Sequence, residues 1–334
     1  ASYQLAQRLA APNVIVALLR EVATTLDELL ERRLDAAAVW RELLDHDPLH
    51  AEAFKNAHRL FVAESDHVAL HELLGHVIAH ADPDDELAVS TLLERGQLRA
   101  RLGWLTGAAE DVLQILAAQP RHADALSALA DIRLQQGDPH AAADLLRQHL
   151  SVLTTPDAAR SAEKRLAVVL ADSIGDLAGA RRALEDVLED VPDDLIARER
   201  LATVLLAQKE FAAAVGELEQ VARLREDRVE RALTEKKIAS LCVSRLNDPE
   251  RARAALERAR VADPLNQEVV GELLRLVPQA QKPSVLDRAL ADVRHAIADN
   301  PADASIHARL VVTAALAQLP ALESVALGAL VVLD

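Results

Sequence analysis

Residues 248–264 read DPERARAALERARVADP, and this short stretch carries the pattern that decides the fold. Ala252, Leu256 and Ala259 recur at i, i+4 and i+7, so they share one face of an α-helix, while charged residues fill most of the other positions. An Asp-Pro pair stands at each end, and proline is tolerated in the first turn of a helix but cannot continue one. The stretch therefore predicts a single amphipathic helix with a boundary at each end.

The same apolar stripe recurs along the chain. Its leading alanine has counterparts at Ala36, Ala108, Ala142, Ala180, Ala214 and Ala289, with Leu70 as the exception. Four residues later stand Trp40, Leu74, Val112, Leu146, Leu184, Leu218 and Val293. Three residues beyond those come Leu43, Val77, Ile115, His149, Val187, Val221 and Ala296. A small side chain at one fixed place in each helix predicts a point where a second helix crosses closely.

Prolines give the length of the repeat. The intervals between Pro48, Pro83, Pro120, Pro156, Pro192, Pro264 and Pro301 are 35, 37, 36, 36, 72 and 37 residues. A unit of about 36 residues therefore recurs, with one proline missing. The intervals between the alanine positions alternate between 34 and 38 residues as far as Ala252. Since four residues make about one helical turn, or roughly 6 Å, we expect units of two alternating lengths and a notched edge.

Each unit also holds a helical segment upstream of its alanine, as in residues 123–136 and 195–208. The clearest turn signals between the two segments are Gly137-Asp138, Gly175-Asp176 and Asn247-Asp248. The predicted fold is thus all-α, a solenoid of stacked antiparallel helix hairpins that spans residues 1–334. Its expected units are residues 13–48, 49–83, 84–120, 121–156, 157–192, 193–228, 229–264 and 265–301, followed by a partial unit at 302–334.

The hairpin pattern resembles the tetratricopeptide repeat, a 34-residue unit with W-x2-L-G-x2-Y in its first helix and A-x3-F, then P, in its second. Residues 195–227 and 123–152 are the most similar stretches. The matching residues in the first of these are Leu201, Ala202, Leu205, Ala214 and Leu218. Most of the family's aromatic positions carry Leu or Val here. The resemblance implies a right-handed, TPR-like superhelix whose first helices line a concave groove for a protein or peptide partner.

Composition bears on which partners the chain binds. The net charge is −16 and the aromatic content is 2%, so we expect no nucleic acid as a partner, because a phosphate backbone would be repelled and few rings are available for base stacking. The longest uncharged apolar run, Val325 to Leu333, is too short to cross a bilayer, and we expect no membrane insertion. The single cysteine, Cys242, cannot form an internal disulfide, which removes the usual sign of an oxidising compartment.

Residues 71–76 read HELLGH, which looks like the zinc motif of the dipeptidyl peptidase III family. That family also requires a glutamate from a downstream Glu-Glu pair, and the chain contains no such pair. Two histidines five residues apart lie about 140° apart around a regular helix, so His71 and His76 are not expected to bind one zinc ion. We expect His76 and Glu72 to face solvent. We also expect Cys242 to be a small buried core residue.

Seven of the twelve histidines fall between His46 and His80. His76 and His80 stand four residues apart on one helical face, an arrangement that can hold a metal loosely or respond to pH. No cysteine or carboxylate completes a set of ligands, so a solvated surface is the favoured interpretation. We therefore predict no metal and no cofactor.

Charge is uneven along the chain, and residues 151–260 are relatively basic, with 19 basic and 21 acidic side chains. The cations at similar positions in three successive first helices are Lys164, Arg165, Arg198, Arg200, Lys236 and Lys237. A ladder of cations in the groove fits an acidic peptide or a C-terminal carboxylate. The alternative is a solvated surface in which these cations pair with Glu163, Glu199 and Glu235. The family's carboxylate-binding version also uses Asn, which these three helices do not offer at matching positions.

The predicted function is that of a non-catalytic scaffold, or adaptor, that binds a peptide or protein partner of acidic character in its groove. Three alternatives stay open: an accessory region of a larger enzyme or assembly, a zinc peptidase based on HELLGH, and an RNA-binding helical repeat. The chain starts with Ala1, contains no Met and stops within an apolar helical pattern, so we expect a fragment of a longer protein.

Overall fold

The computed structural model describes residues 12–83 and 85–333. In these residues it contains 18 α-helices and no β-strand, which confirms the all-α fold class. The chain divides between Ala162 and Glu163 into two compact units, called here the N-terminal unit and the C-terminal unit. The ends of the predicted array, residues 1–11 and residue 334, lie outside the described residues.

The helices are numbered α1 to α18 in chain order and pair as nine hairpins, so odd numbers are first helices and even numbers are second helices. The first helices are α1 Pro12–Thr24, α3 Ala51–Ala63, α5 Glu86–Arg101, α7 Ala123–Gln135, α9 Pro156–Val168, α11 Leu195–Ala207, α13 Arg228–Leu241, α15 Gln267–Leu276 and α17 Ala304–Leu316. The second helices are α2 Arg33–His46, α4 His67–His80, α6 Leu105–Ala118, α8 Pro139–Val152, α10 Leu177–Asp190, α12 Phe211–Leu224, α14 Pro249–Ala262, α16 Lys282–Asp299 and α18 Pro320–Leu333.

The repeated alanines lie at the helix crossings, as the sequence predicts. All seven are at most 1% exposed, and Leu70 at the eighth position is 2% exposed. In hairpin 3 the fit is tight on both sides: a Cβ atom on Gly96 of α5 would lie 3.0 Å from Val112 Cγ2 and 3.3 Å from the carbonyl oxygen of Ala108 on α6. Larger side chains would push such helices apart, since protein cores are close-packed.

The extra residues of the longer repeats lie in the first helices. The second helices α2 to α14 and α18 each have 14 residues, whereas α3, α7 and α11 have 13 and α5 has 16. The helices α1, α9 and α13 run on into π-helical turns at Thr25–Leu29, Val169–Ile174 and Cys242–Leu246. A π-helical turn accommodates added residues within a continuous helix, so the inserted residues do not form a separate linker.

One residue in left-handed conformation reverses the chain within most hairpins. The predicted turns at Gly137, Gly175 and Asn247 are confirmed, each with a positive φ. Further positive φ values in such turns occur at Glu31, Ser65, Gly103, Lys209 and Gln318. An aspartate often follows and caps the second helix; the Asp138 and Asp248 carboxylates accept hydrogen bonds from the N–H groups of Ala141 and Arg251. The turn chemistry read from the sequence therefore sets the hairpin geometry.

Within each unit the helices pack against their neighbours in chain order. One core cluster of the N-terminal unit runs from Ile15 to Leu98, and one of the C-terminal unit runs from Ala202 to Ala289, so the core continues from hairpin to hairpin. Residues 304–333, where the sequence predicts a partial unit, hold the two helices of hairpin 9. The exact unit boundaries and a single continuous superhelix stay predictions.

Candidate partner-binding surface

The predicted cations on α9, α11 and α13 are first considered one by one. Lys164 Nζ on α9 lies 2.6 Å from Asp194 Oδ2, and Asp194 also accepts a hydrogen bond of 2.9 Å from the N–H of Ala197 as the N-cap of α11. Burial acts to raise the pKa of Asp194, but these two hydrogen bonds hold it below its ordinary value. Lys164 therefore ties hairpin 5 to the start of hairpin 6.

Arg198 and Lys236 are also paired with acids on neighbouring helices. Arg198 Nη1 lies 2.6 Å from Glu217 Oε2 on α12, and its Nε donates to the carbonyl oxygen of Pro192 at 2.7 Å. Lys236 pairs with Glu268 at the start of α15, and its Nζ lies 3.9 Å from Glu272. These contacts join one helix to another rather than presenting free charge.

The alternative interpretation named the acids Glu163, Glu199 and Glu235 as partners of these cations. For two of them it is wrong. Glu199 pairs with Arg225, and Glu235 forms a two-pronged pair with Arg258 at 2.7 and 2.8 Å. The reason is geometric, because residues adjacent on a helix point in different directions and the partner comes from the packed neighbour.

Arg200 and Lys237 differ from the others. Both are exposed; Arg200 lies 3.7 Å from Asp172, an exposed contact, and Lys237 has no ion pair within the described part of the chain. Arg165 is half-buried and has an interaction partner of its own. Of the six predicted cations, Arg200 and Lys237 are thus the two whose charge is most available to a partner.

Two shallow grooves bring Arg200 and Lys237 to one surface. A groove of about 90 Å³ is lined by Arg200, Asp172 and Thr203, among others. A second groove of about 330 Å³ is lined by Thr203, Leu233 and Lys237, among others. Thr203 of α11 borders both grooves, so they adjoin.

Three exposed apolar side chains on α11 and α13 accompany these cations. Ile196 is 60% exposed, Val229 56% and Leu233 51%. Ile196 and Arg200 are four residues apart, as are Val229, Leu233 and Lys237, so each set follows one helical face. We call Ile196, Arg200, Val229, Leu233 and Lys237 the first-helix surface. The apolar members were missed at the sequence level; the signal was an apolar i, i+4 pair on α13 that lies off the core stripe.

The histidines of HELLGH take separate structural positions in the N-terminal unit. His71 Nε2 accepts a hydrogen bond of 3.0 Å from Arg99 Nε, and its ring packs edge-on against Trp104 with centroids 5.3 Å apart. Burial, with help from the charges of Arg99 and Arg95, lowers the pKa of His71. A neutral ring whose Nε2 is occupied by an arginine is not arranged to bind zinc.

The expectation that His76 faces solvent is wrong, whereas Glu72 is exposed as expected. His76 is half-buried, and its Nε2 lies 3.2 Å from the carbonyl oxygen of Leu44 on α2. The difference arises because α2 packs against this part of α4, which sequence spacing alone does not reveal. Its ring lies 4.5 Å from that of His80, which is exposed.

Arg99 belongs to a buried ionic network around Asp111 of α6. Arg95 reaches the two Asp111 oxygens at 3.0 and 2.6 Å, and Arg99 Nη1 lies 2.9 Å from Oδ1 and 3.1 Å from the carbonyl oxygen of Gly107. The Asp111 side chain is 2% exposed. This network joins α5 to α6 and, through His71, to α4.

Three further features bear on chemistry. Among residues 12–83 and 85–333, no group of three or more His, Cys, Asp or Glu side chains is placed to hold a metal ion. No helix in those same ranges is both long and apolar enough to cross a membrane. Cys242 is fully buried, as predicted, and burial raises the pKa of its thiol.

Two segments, residues 93–162 and 166–229, match the model of the tetratricopeptide repeat family. The chain carries tetratricopeptide repeats. Repeats of this family build protein-interaction scaffolds and are generally non-catalytic, so the scaffold function predicted from the sequence is supported at that general level. No curated protein matches the chain.

Solved structures of tetratricopeptide repeat proteins resemble this one in fold. The C-terminal part of a TPR repeat-containing protein from Cytophaga hutchinsonii matches with a TM-score of 0.58 and 12% identity, over 76% of this chain and 98% of that one. A tetratricopeptide repeat protein from Parabacteroides merdae matches at 0.45 and 19%, over 78% and 98%. YrrB, described as a TPR protein with an unusual peptide-binding site, matches at 0.45 and 15%, over 60% and 98%.

Proposed function

We propose that this protein is a scaffold that binds a segment of a protein partner on the first-helix surface. The observation that carries the proposal is the exposure of Ile196, Val229 and Leu233 beside Arg200 and Lys237 on the first helices of the C-terminal unit. Exposed apolar side chains grouped with cations are typical of interaction sites, because apolar burial supplies affinity and charge selects the partner.

The chemistry of this surface favours a partner segment with both apolar and acidic side chains. Leu233 and Lys237 border the 330 Å³ groove, where an apolar anchor of the partner buries against Leu218 and Val221. A carboxylate of the partner then lies next to Lys237 or Arg200. Of the six predicted cations, this proposal assigns partner contact to these two, while Lys164, Arg198 and Lys236 hold neighbouring helices together; a partner-binding role for Arg165 stays a prediction.

The binding mechanism is passive. Helices fixed by packing lose little conformational freedom when a partner binds, so weak contacts spread over α11 and α13 add up to useful affinity. The protein contributes a surface and no bond-making chemistry. The sequence-level alternatives of a zinc peptidase and of an RNA-binding repeat have no supporting feature on this surface.

The proposal is tested by selecting binders from a random peptide display library against the full chain. We expect the selected peptides to combine acidic and large apolar residues. For a selected peptide, Leu233→Ser with Lys237→Glu should weaken binding about tenfold or more, since an apolar contact and a charge pair are both lost.

Leu113→Ser with Lys209→Glu is the matched control. It changes an exposed leucine and an exposed lysine away from the first-helix surface, with the same change in net charge. The control should bind the peptide as the unaltered chain does. Selection of basic peptides, or equal loss of binding in both double variants, would sink the proposal.

A further inference from the structure

The largest cleft in the C-terminal unit lies away from the first-helix surface. It has a volume of about 690 Å³ and lies where the ends of the second helices α12 and α14 meet the start of α13. Its charged lining consists of Arg223, Arg228, Arg231, Arg258, Glu219, Glu235 and Glu257. We call it the arginine cleft. Its cations are all arginines, without a lysine among them.

Each glutamate of the arginine cleft is already neutralised by an arginine. Arg251 holds Glu219 with two hydrogen bonds of 3.0 and 2.9 Å. Arg258 holds Glu235 in the same way, and Glu257 lies 3.3 Å from Arg260. These acids therefore have little charge left for the remaining arginines of the cleft.

Three arginine charges are left without a carboxylate. Arg231 donates to the carbonyl oxygen of Arg225 at 3.1 and 2.7 Å, which fixes its position but does not neutralise it. Arg223 and Arg228 are exposed and have no hydrogen bond or ion pair within the described part of the C-terminal unit. The nearby carboxylate of Asp227 is engaged as the N-cap of α13, where it accepts from the N–H of Glu230 at 2.8 Å.

The cleft also offers apolar contact beside these charges. Val261 is 68% exposed, and Ala222 and Ala262 complete this part of the lining. A ligand that fits must therefore carry a compact, strongly negative group next to an apolar or backbone portion. The two uncommitted guanidinium groups can each present a planar fork of N–H donors to one oxyanion.

We propose that the arginine cleft binds a phosphorylated serine or threonine of a protein partner. A phosphate dianion carries close to two negative charges and three acceptor oxygens, which matches three uncompensated arginines better than a single carboxylate does. The phosphate lies between Arg223 and Arg228, Arg231 adds charge from its fixed position, and the neighbouring side chain of the partner contacts Val261. This site is separate from the first-helix surface and does not depend on it.

The test uses the full chain and three probes: an alanine pentapeptide with phosphoserine, aspartate or serine at its centre. Arginine Nε–H signals are followed by NMR as each peptide is added. We expect saturable shifts of the Arg223 and Arg228 signals with the phosphoserine peptide, affinity about tenfold lower for the aspartate peptide, and no saturable shift with the serine peptide. Phosphoserine affinity should also fall between pH 7.5 and 5.5, because the phosphate loses its second charge near pH 6.

Arg223→Ala with Arg228→Ala is the informative variant, and Arg182→Ala with Arg275→Ala is its control. All four side chains are exposed helix residues of the C-terminal unit, and both double variants change the net charge equally. The first should lose at least about tenfold in phosphoserine affinity with an unchanged melting temperature, and the control should lose almost none. Equal affinity for the aspartate peptide, no saturable shift with phosphoserine, or equal losses in both variants would overturn the proposal.

Discussion

Hairpin 3 (α5 and α6) and hairpin 7 (α13 and α14) both end one of the 38-residue intervals, and each buries one carboxylate between its two helices. In hairpin 3 the acid is Asp111 on the second helix, held by Arg95 and Arg99 from the first. In hairpin 7 the charges are exchanged: Glu235 lies on the first helix and Arg258 on the second. The same hairpin geometry therefore accepts an ion pair in either orientation.

The two pairs differ in how deeply they are built in. Arg95 and Arg99 are 15% and 19% exposed, and Arg99 extends the network to His71 of the preceding hairpin. Arg258 is 48% exposed and borders the arginine cleft. A buried network cannot easily be replaced by water, whereas a half-exposed guanidinium can be rehydrated. We infer that hairpin 3 uses its ion pairs to join repeats and that hairpin 7 uses its pair to shape an open surface.

The largest expected effect comes from Asp111→Ala. It leaves two mostly buried guanidinium groups without their carboxylate, so the free energy of unfolding should fall by about 3–5 kcal/mol. Urea unfolding followed by circular dichroism measures this. Asp144→Ala, which removes the exposed partner of Arg147, is the control and should cost about 0.5 kcal/mol or less. A loss for Asp111→Ala as small as that of the control would show that the network is not stabilising.

Glu235→Ala should have a smaller effect, about 1–3 kcal/mol, because Arg258 can turn to solvent when its partner is removed. The same urea titration measures it. If Glu235→Ala proves as damaging as Asp111→Ala, the contrast between a buried network and an exposed pair is broken.

The turns of the two hairpins give the next effect in size. Gly103 in hairpin 3 has φ of 80°, and a Cβ atom there would meet nothing within 4 Å, so Gly103→Ala should cost about 1 kcal/mol through backbone strain alone. Asn247, with φ of 52°, fills the same role in hairpin 7. Because Asn tolerates this conformation, Asn247→Gly should change stability by about 0.5 kcal/mol or less. Equal and opposite changes of melting temperature would contradict this difference.

The smallest expected effect is a pH dependence confined to hairpin 3. The pKa of His71 is lowered in the folded chain, so its contribution to stability is complete above the ordinary value of 6.5 and is lost as the pH falls through the folded-state pKa. His71→Gln keeps an acceptor for Arg99 but does not titrate. Its melting temperature should therefore decrease less than that of the unaltered chain between pH 7.5 and 5.0.

His58 provides the control of opposite sign. Its hydrogen bond of 2.5 Å to Glu94 raises its pKa, so its contribution is complete below 6.5 and is lost as the pH rises through the folded-state pKa. His58→Gln should accordingly steepen the decrease in melting temperature toward acid pH. Hairpin 7 has no histidine in its ion pair, so Glu235→Gln should leave the slope unchanged. Identical slopes in all three variants would remove His71 from the pH response.

Local patterns were predictable to a different degree from long-range contacts. The alanine at each crossing and the turn at Gly175 follow from steric rules that act within one helix or one turn. The partners of Arg99 and Lys164 do not, because His71 is 28 residues away from Arg99 and Asp194 is 30 residues away from Lys164. A sequence with many charges offers many pairings, and packing selects among them.

The amino-acid sequence by itself determined the all-α hairpin architecture, the repeat length and the buried alanine stripe, because periodicity, small residues and helix-breaking residues act locally. It also restricted the candidate partner-binding cations to three helices. Only the tertiary structure decided that Lys164, Arg198 and Lys236 are paired with acids while Arg200 and Lys237 stay accessible, and that extra residues form π-helical turns. The physical reason is that the environment of a charge depends on which helices pack around it, and that is a property of the folded chain.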